Sequence, residues 1–456
     1  MSNWMAAVLA AGKGTRMKSR HPKVLHCVGG VPMVRRVLTA ASEAGVTEAV
    51  VIIGFGAEEV QATLGDTVSY VTQREQLGTG HAVRLAQDAL ARAESVLVVC
   101  GDTPLLQAST LRNLVAEHTR SGAAATVLTT HLSDPTGYGR IVRNQDGHVV
   151  RIVEEKDADE TIRKITEVNT GTYCFRADML WPQLEQIGCD NAQGEYYLTD
   201  VIGLLVAAGE TVAGVVCADD RETLGVNSRA QLAVAEQVAR ERKLEELMAA
   251  GVTLIDPQTT YVDDTVTVGA DTVLEPGTML RGITHIGRDC VIGPNTELVD
   301  TAVGDGVRMH RTYAHECRVG DEAQIGPYVH LRPGAEIAAH VKIGNFVEVK
   351  NSVVGEGSKL PHLSYIGDTD MGAHVNIGCG VITVNYNGKI KQRTTVQDGA
   401  FVGCNSNLVA PVTVGEDAYI GAGSTITKDV PARALAVGRS RQLIKEAWVT
   451  DATYKK

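Results

Sequence analysis

An α/β sheet domain followed by a parallel β-helix is the fold class this chain predicts, and three observations predict it. Up to about residue 226, short Val/Ile/Leu-rich runs alternate with helix-like stretches, as in residues 49–53, then Ala57–Leu64, then Ser95–Cys100. That alternation is the rhythm of a parallel sheet with crossover helices. Beyond about residue 251 an aliphatic residue recurs at every sixth position. Val268, Leu274, Leu280, Ile286, Ile292 and Leu298 form one register; Val319, Ile325, Leu331, Ile337, Ile343 and Val349 a second; Val396, Val402, Leu408, Val414, Ile420 and Ile426 a third. Each hexad supplies one short strand and one turn, so three hexads close a triangular coil with the aliphatic residues stacked inside. The third observation is that aromatic residues make up only 4% of the chain, which suits a narrow prism filled by Val, Ile and Leu.

The elements follow in order. Residues 5–8 are apolar and run into the sequence Leu-Ala-Ala-Gly-Lys-Gly-Thr-Arg-Met at 9–17, answered by Pro22-Lys23. A strand entering a glycine turn leaves backbone N–H groups free to converge on an anion, and Arg16 and Lys23 add the charge a triphosphate needs. Two commoner glycine loops are excluded. A Walker loop needs glycine at position 7, which is Ala7, and Ser or Thr after Lys13, where Gly14 stands. The dinucleotide fingerprint needs a third glycine at position 17, which is Met17. Asp102 ends an apolar strand, as a carboxylate for a hard, oxygen-seeking Mg²⁺ ion would. Both it and the Gly12 loop fall at carboxyl ends of strands, where ligands bind in such sheets.

Residues 228–250 contain no helix breaker, can be capped by Asn227 or Ser228, and end at Gly251. They read as one helix of about 33 Å at 1.5 Å per residue, with a partial apolar stripe of Leu232, Ala235, Leu244 and Leu247. In the repeat half the clearest register break lies between Ile377 and Val396. There Asn-Tyr-Asn-Gly-Lys at 385–389 fits a loop leaving the prism.

At 456 residues the chain exceeds one hydrophobic core, so two or three domains are expected. The net charge of -11 argues against nucleic acid as a general partner, so any polyanion site is local. No run approaches 18 apolar residues and no signal sequence opens the chain. No integral membrane segment and a cytoplasmic location are the expectations. The nine cysteines include no Cys-x-x-Cys pair, which points to reduced thiols rather than a disulfide framework or a zinc site.

Histidine is the natural base for freeing an amine, and the repeat half holds His310, His315, His330, His340, His362 and His374. Periodicity alone does not choose among them.

The motif at 9–17 with Pro22-Lys23, Gln-Leu-Gly-Thr-Gly-His-Ala at 76–82, Gly101-Asp102, Gly-Tyr-Gly-Arg at 137–140, Glu154, Asn169-Thr170-Gly171 and Gly225-Val226-Asn227 resemble, in this order, the sugar-1-phosphate nucleotidyltransferases. Joined to the hexad half, nearly the whole chain resembles a family of bifunctional bacterial enzymes. They combine N-acetylglucosamine-1-phosphate uridyltransferase with glucosamine-1-phosphate N-acetyltransferase activity. The resemblance implies a Rossmann-like nucleotidyltransferase domain at 1–229, a linker helix at 230–250 and a left-handed β-helix acetyltransferase at 251–456. It also implies a cytoplasmic homotrimer whose product, UDP-N-acetylglucosamine, feeds cell-wall construction.

By the same resemblance, Leu9, Ala10, Ala11, Gly12, Gln73, Gly78, Thr79 and Gly101 hold the nucleotide of UTP, with Arg16 and Lys23 as catalytic cations on its phosphates. Gly139, Glu154 and Asn169 contact N-acetylglucosamine 1-phosphate; Asp102 and Asn227 give oxygens to Mg²⁺. In the second half the sequence Pro-His-Leu-Ser-Tyr-Ile-Gly-Asp at 361–368 makes His362 the general base. Arg332 and Lys350 bind the phosphate of glucosamine 1-phosphate, and Tyr365, Asn376, Asn385 and Tyr386 line the aminosugar site. Ala422 and Arg439 face acetyl-coenzyme A. Cys379 and Cys404 stand on that surface where the family usually carries alanine and serine; they read as space-filling residues, with acylation of a thiol as the competing reading. The residues themselves leave another assignment open, a nucleotidyltransferase for a different sugar phosphate whose repeat half acylates another amine or only builds an oligomer.

Overall fold

The computed structural model describes residues 3–449. The chain divides into two compact units, 1–240 and 241–456. The first is built on strands β1 (Trp4–Ala10), β2 (Glu48–Ile53), β3 (Ser69–Thr72), β4 (Ser95–Cys100), β5 (Ala125–His131), β6 (Arg140–Arg143), β7 (Val149–Val153), β8 (Glu167–Arg176) and β9 (Val212–Val216). Their order is β9-β5-β8-β4-β1-β2-β3, with β6 paired to β8 and β7 to β6. The sheet is covered on both faces, and residue alternation shows it. Met5, Ala7, Val50, Ile52, Val96 and Val98 enter one core cluster, while Ala6, Val8, Val51, Ile53, Leu97 and Val99 enter another. Strands buried on both sides read as continuous apolar runs, which is why 49–53 and 95–99 stood out.

The sheet is mixed, not parallel throughout as the alternation predicted. β8 runs antiparallel to both β4 and β5. Between β5 and β8 the only helix is the four-residue Glu160–Arg163, too short for a crossover, so the chain returns through the β6–β7 hairpin instead.

The helix Ala108–Ser121 behind β5 is closed by Gly122 in the left-handed conformation, whose N–H bonds the His118 carbonyl. The buried His118 ring stands edge-on to Trp4 at 5.5 Å, and its Nδ1 is 2.9 Å from Thr126 Oγ1. Burial, with Arg176 nearby, pushes its pKa down to about 4. A histidine depressed this way gives stability that is intact above its unfolded value of about 6.5 and is lost as pH falls from there towards 4. We therefore expect His118→Phe to flatten the acid side of the unit's stability curve, removing up to about 3 kcal/mol of pH dependence between pH 6.5 and 4. Denaturant titrations of both proteins at several pH values check this; an unchanged acid slope contradicts it.

The second unit is the β-helix. Its strands pair in parallel with their counterparts one coil on, at spacings of 20 residues for Leu254 with Leu274 and 16 to 18 in the coils that follow, as in Leu274 with Ile292, Ile292 with Met309 and Leu298 with Ala314. Of the three aliphatic registers, every residue but the half-buried Val268 is buried in one continuous core. One spacing stretches to 25 residues on all three faces: Met371 to Val396, Ile377 to Val402 and Val384 to Val409. The extra residues form the excursion read from the register break, a turn closed by a bridge between Tyr386 and Lys391.

The linking helix spans Arg229–Ala249. Ala235, Val238 and Ala239 pack with Met17, Val28 and Val226 of the first unit. Leu244 and Leu247 join Val252 and Val262 in the core of the second.

Candidate active sites

In the first unit, β1 and β4 end side by side, with Leu9 opposite Cys100. Their continuations frame a cavity of about 300 Å³ that gathers Leu9, Ala10, Ala11, Gly12, Lys23, Gln73, Gly78, Thr79 and Asp102. The N–H groups of Gly12, Lys13 and Gly14 donate to no other group among the described residues, so they stay available to an anion. Gly78 is required by geometry. Its φ is +114°, and a Cβ there would come within 2.5 Å of the Tyr196 carbonyl oxygen. Gln73 is almost fully buried; its amide nitrogen donates to the Gly78 carbonyl at 3.1 Å and lies 3.0 Å from His81 Nδ1.

Lys23 is held by oxygens. Its ammonium bonds Asp102 Oδ2 and, at 2.8 Å, Asn227 Oδ1. A carboxylate and an amide oxygen thus converge on one cation position, the donor set a hard metal ion accepts, with the ammonium standing in for it. Among the described residues no group of three or more His, Cys, Asp or Glu surrounds a metal position. A hard metal ion held there by Asp102 and Asn227 would need further oxygen donors, which phosphate and water could supply.

A second cluster adjoins this cavity. Asn169 N–H donates to the Gly139 carbonyl at 2.8 Å, and a Cβ at Gly139 would sit 3.4 Å from the Glu154 carboxylate. Glu154 accepts from the Thr199 hydroxyl at 3.1 Å. Burial raises its pKa, and Asp200, Asp157 and Glu195 add to the rise against the Thr199 hydrogen bond. The two clusters meet where Cys100, in the cavity wall, approaches the Gly171 carbonyl at 3.5 Å. Gly101 is buried behind them, donating to Leu9 O at 2.9 Å. Arg16 is not brought into the cavity; it is exposed on the short helix Thr15–Met17.

In the second unit the register decides which residues meet. Asn345 pairs with His362. Lys359 pairs with Asn376 and Tyr365 with Ile382, both 17 residues on, which sets Cys379 beside His362. The next spacings, 25 and 18, continue the column to Cys404 and Ala422. Arg439 closes it, its guanidinium bonding the Ala422 carbonyl at 2.9 Å. His362, Cys379, Cys404, Ala422 and Arg439 therefore occupy a single corner of the prism, one per coil. Neither Cys379 nor Cys404 has a hydrogen-bond partner for its thiol among the described residues, so Cys379 is not hydrogen-bonded to His362 although it stands beside it.

The next corner carries the charge. Arg332 is in register with Lys350, and it pairs with Glu348 at 2.7 Å. Lys350 faces Lys391 from the excursion loop, and that contact, with some burial, lowers its pKa. Asn351 and Asn385 both donate to Asp368. Burial would raise the Asp368 pKa, but these amides and the two lysines bring it below the usual value. Asn385 also lies 3.5 Å from the Tyr365 hydroxyl. Tyr386 projects from the loop, exposed, and Asn376 sits on the neighbouring flat face with Lys342 and Lys359.

Sequence reasoning missed Lys391, Glu348 and Gln76, whose amide nitrogen donates to Ala11 O at 2.7 Å under the glycine loop. For Lys391 a signal existed, since the register break places it in the same loop as Asn385. Gln76 opens the motif at 76–82 but is given no role by it, and Glu348 has no signal short of the fold.

Comparison with known proteins decides the family. The Nucleotidyl transferase family model matches residues 5–221, and the Bacterial transferase hexapeptide (six repeats) model matches 316–351 and 393–428. The chain is 55% identical to the bifunctional protein GlmU of Halalkalibacterium halodurans over 99% of each chain. It is 52% identical to that of Geobacillus thermodenitrificans over 99% of this chain and 98% of the relative. With that of Heliobacterium modesticaldum the figure is 54%, over 97% and 96%. The chain belongs to the bifunctional GlmU family. It is accordingly a two-activity transferase that makes UDP-N-acetylglucosamine, a uridylyltransferase in its N-terminal half and an acetyltransferase in its repeat half.

The unpartnered thiols yield a prediction. Replacing both Cys379 and Cys404 by alanine leaves acetyl transfer within about twofold of wild type, because neither sulfur is hydrogen-bonded to the base that a nucleophile needs. Steady-state assay of the double variant checks this, and an acetylated cysteine peptide recovered from wild type would contradict it.

Proposed function

We propose that the repeat half moves the acetyl group of acetyl-coenzyme A onto glucosamine 1-phosphate at His362, and that the N-terminal half then joins the product to UMP from UTP. What carries the reading is the division of labour between the sites. The cavity in the first unit is organised around a cation, whereas the second unit sets a histidine on one corner and cations on the next.

Uridylyl transfer needs no protein nucleophile, since the sugar phosphate oxygen is already ionised and attacks the α-phosphorus, expelling pyrophosphate. The obstacle is bringing two anions together. The free N–H groups of the Gly12 loop orient the triphosphate and Lys23 offsets its charge; Arg16, exposed outside the cavity on the short helix Thr15–Met17, joins it by swinging in over the bound phosphates. Mg²⁺ held by Asp102 and Asn227 would neutralise further charge on the phosphate oxygens. Lys23 must release both oxygens before they hold a metal, and its freed ammonium then pairs with the phosphates. Gly139, Glu154 and Asn169 hold the sugar.

Acetyl transfer needs a free amine. His362 takes one proton from the substrate ammonium and passes it to solvent; the free amine attacks the thioester carbonyl, His362 takes the second proton from that nitrogen as the C–N bond forms, and the imidazolium gives it to the coenzyme A sulfur as the C–S bond breaks. Arg332, Lys350 and Lys391 offer the phosphate a pocket in which two ammonium groups already repel each other. The coenzyme lies along the corner column towards Arg439, with Tyr365, Asn376, Asn385 and Tyr386 around the sugar.

Spacing supports the homotrimer. From His362 to the coil position of Lys350 is five residues of extended chain, about 16 Å, yet the amine and the phosphate of the substrate are on adjacent ring carbons. Spanning that face takes either long side chains of one chain or a neighbouring copy laid against it, and we take the second, which a homotrimer provides. The phosphorylated, coenzyme A-linked substrates fit a cytoplasmic enzyme.

Two results test the division. In a coupled assay with glucosamine 1-phosphate, acetyl-coenzyme A, UTP and Mg²⁺, Asp102→Ala and Arg16→Ala abolish uridylyl transfer and spare acetyl transfer. His362→Ala does the reverse. Retained uridylyl transfer in the first pair, or retained acetylation in the last, rejects the corresponding site. Separately, Lys23→Met strengthens Mn²⁺ binding several-fold in the absence of nucleotide, read by electron paramagnetic resonance, and Asp102→Ala removes that binding. Equal affinity in wild type and Lys23→Met contradicts the exchange.

A further inference from the structure

The imidazole of His362 has a single hydrogen-bond partner among the described residues, the side chain of Asn345 one coil earlier, with Nδ1 and Oδ1 2.8 Å apart. The two residues are in direct register on the same corner. An amide oxygen only accepts, so Nδ1 carries the proton. The neutral ring then has its lone pair on Nε2, directed away from Asn345.

We propose that Asn345 is the positioning residue of the acetyl-transfer site, fixing His362 in the Nδ1–H tautomer so that Nε2 is the atom that takes the substrate proton. This rests on the reading of His362 as the base. The exposed ring is otherwise free to turn about its side-chain bonds, and either turning or the other tautomer withdraws the lone pair from the substrate.

The choice of an amide has a consequence of its own. A carboxylate at 345 would also accept from Nδ1, but its charge would favour the imidazolium and hold the base protonated to higher pH. The other titratable groups on the strands around the ring are Lys342, Glu348 and Lys350 on the strand before and Lys359 and Tyr365 on its own, with Cys379 on the coil after. None of them is in hydrogen-bond or ion-pair contact with the imidazole among the described residues. Asn345 therefore orients the base without charging it, which suits a group that must collect a proton from an ammonium near neutral pH.

The experiment uses the full-length protein with acetyl transfer followed across pH, and uridylyl transfer as the measure of folding. Asn345→Ala lowers acetyl-transfer kcat about 10- to 100-fold, with KM for both substrates within about threefold and uridylyl transfer unchanged. Asn345→Asp, which keeps the acceptor, recovers most of the rate at high pH, but the pH of half-maximal rate moves up by about one unit. The proposal is overturned if Asn345→Ala keeps kcat within twofold, or if Asn345→Asp leaves the pH profile where it was. Failure of the underlying reading looks different. In that case His362→Ala itself retains acetyl transfer, whatever the position 345 variants do.

Discussion

The stacking of successive coils in register is the constraint on which the acetyl-transfer half depends. Each coil hands its backbone N–H groups to the carbonyls of the next, as Gly355 N to Met371 O at 2.9 Å and Gly378 N to Val402 O at 2.7 Å. Residues one coil apart are thereby fixed about 4.8 Å apart. The corners demand close backbone approach. A Cβ at Gly344 would overlap the Pro361 carbonyl oxygen, and one at Gly378 would come within 2.5 Å of Cys404 N. A slip of one residue would turn the aliphatic ladder outward, so register and core enforce each other. The chemistry inherits this rigidity. Asn345, His362 and Cys379 are neighbours because their coils are, and His362 is kept from Lys350 by the length of one prism face.

The N-terminal half solves its problem with charge rather than register. The sheet brings the carboxyl ends of β1 and β4 together, so that the Gly12 loop and Asp102 share one cavity. Asn227 arrives from far along the chain and is anchored there: the adjoining Val226 N–H donates to the Asp102 carbonyl at 2.8 Å. Lys23, resting between Asp102 and Asn227, spares the half-buried carboxylate from standing unpaired. A site that must accept a highly charged nucleotide thus begins with the Asp102 carboxylate and the Lys23 ammonium already paired.

Much of this was legible in the sequence, for identifiable reasons. The hexad pattern gave the β-helix because each coil repeats one simple demand, an aliphatic residue facing inward, and the excursion at 385–391 showed itself as a break in that count. The helix Ala57–Leu64 and the strand Ser95–Cys100 have the limits that their apolar periodicity suggested. The antiparallel β8 was not legible, because its apolar residues look the same in either direction and only the missing crossover helix betrays it. Among site residues, the glycine loop and Asp102 declared themselves by their position after strands. Asn345 and Glu348 did not, since their roles arise from partners one coil away, His362 and Arg332, which no local pattern connects.

The base and the phosphate holders stand on separate edges of the prism, and we propose on that ground that neighbouring chains share each acetyl-transfer site. Subunit complementation measures it most directly. His362→Ala and Lys350→Ala chains, each inactive alone in acetyl transfer, are co-expressed and purified as mixed oligomers. Random pairing of two complementary subunits predicts recovery of roughly a quarter of the wild-type rate. Mixed oligomers that regain no acetyl transfer would place both residues in one chain's site and contradict the account.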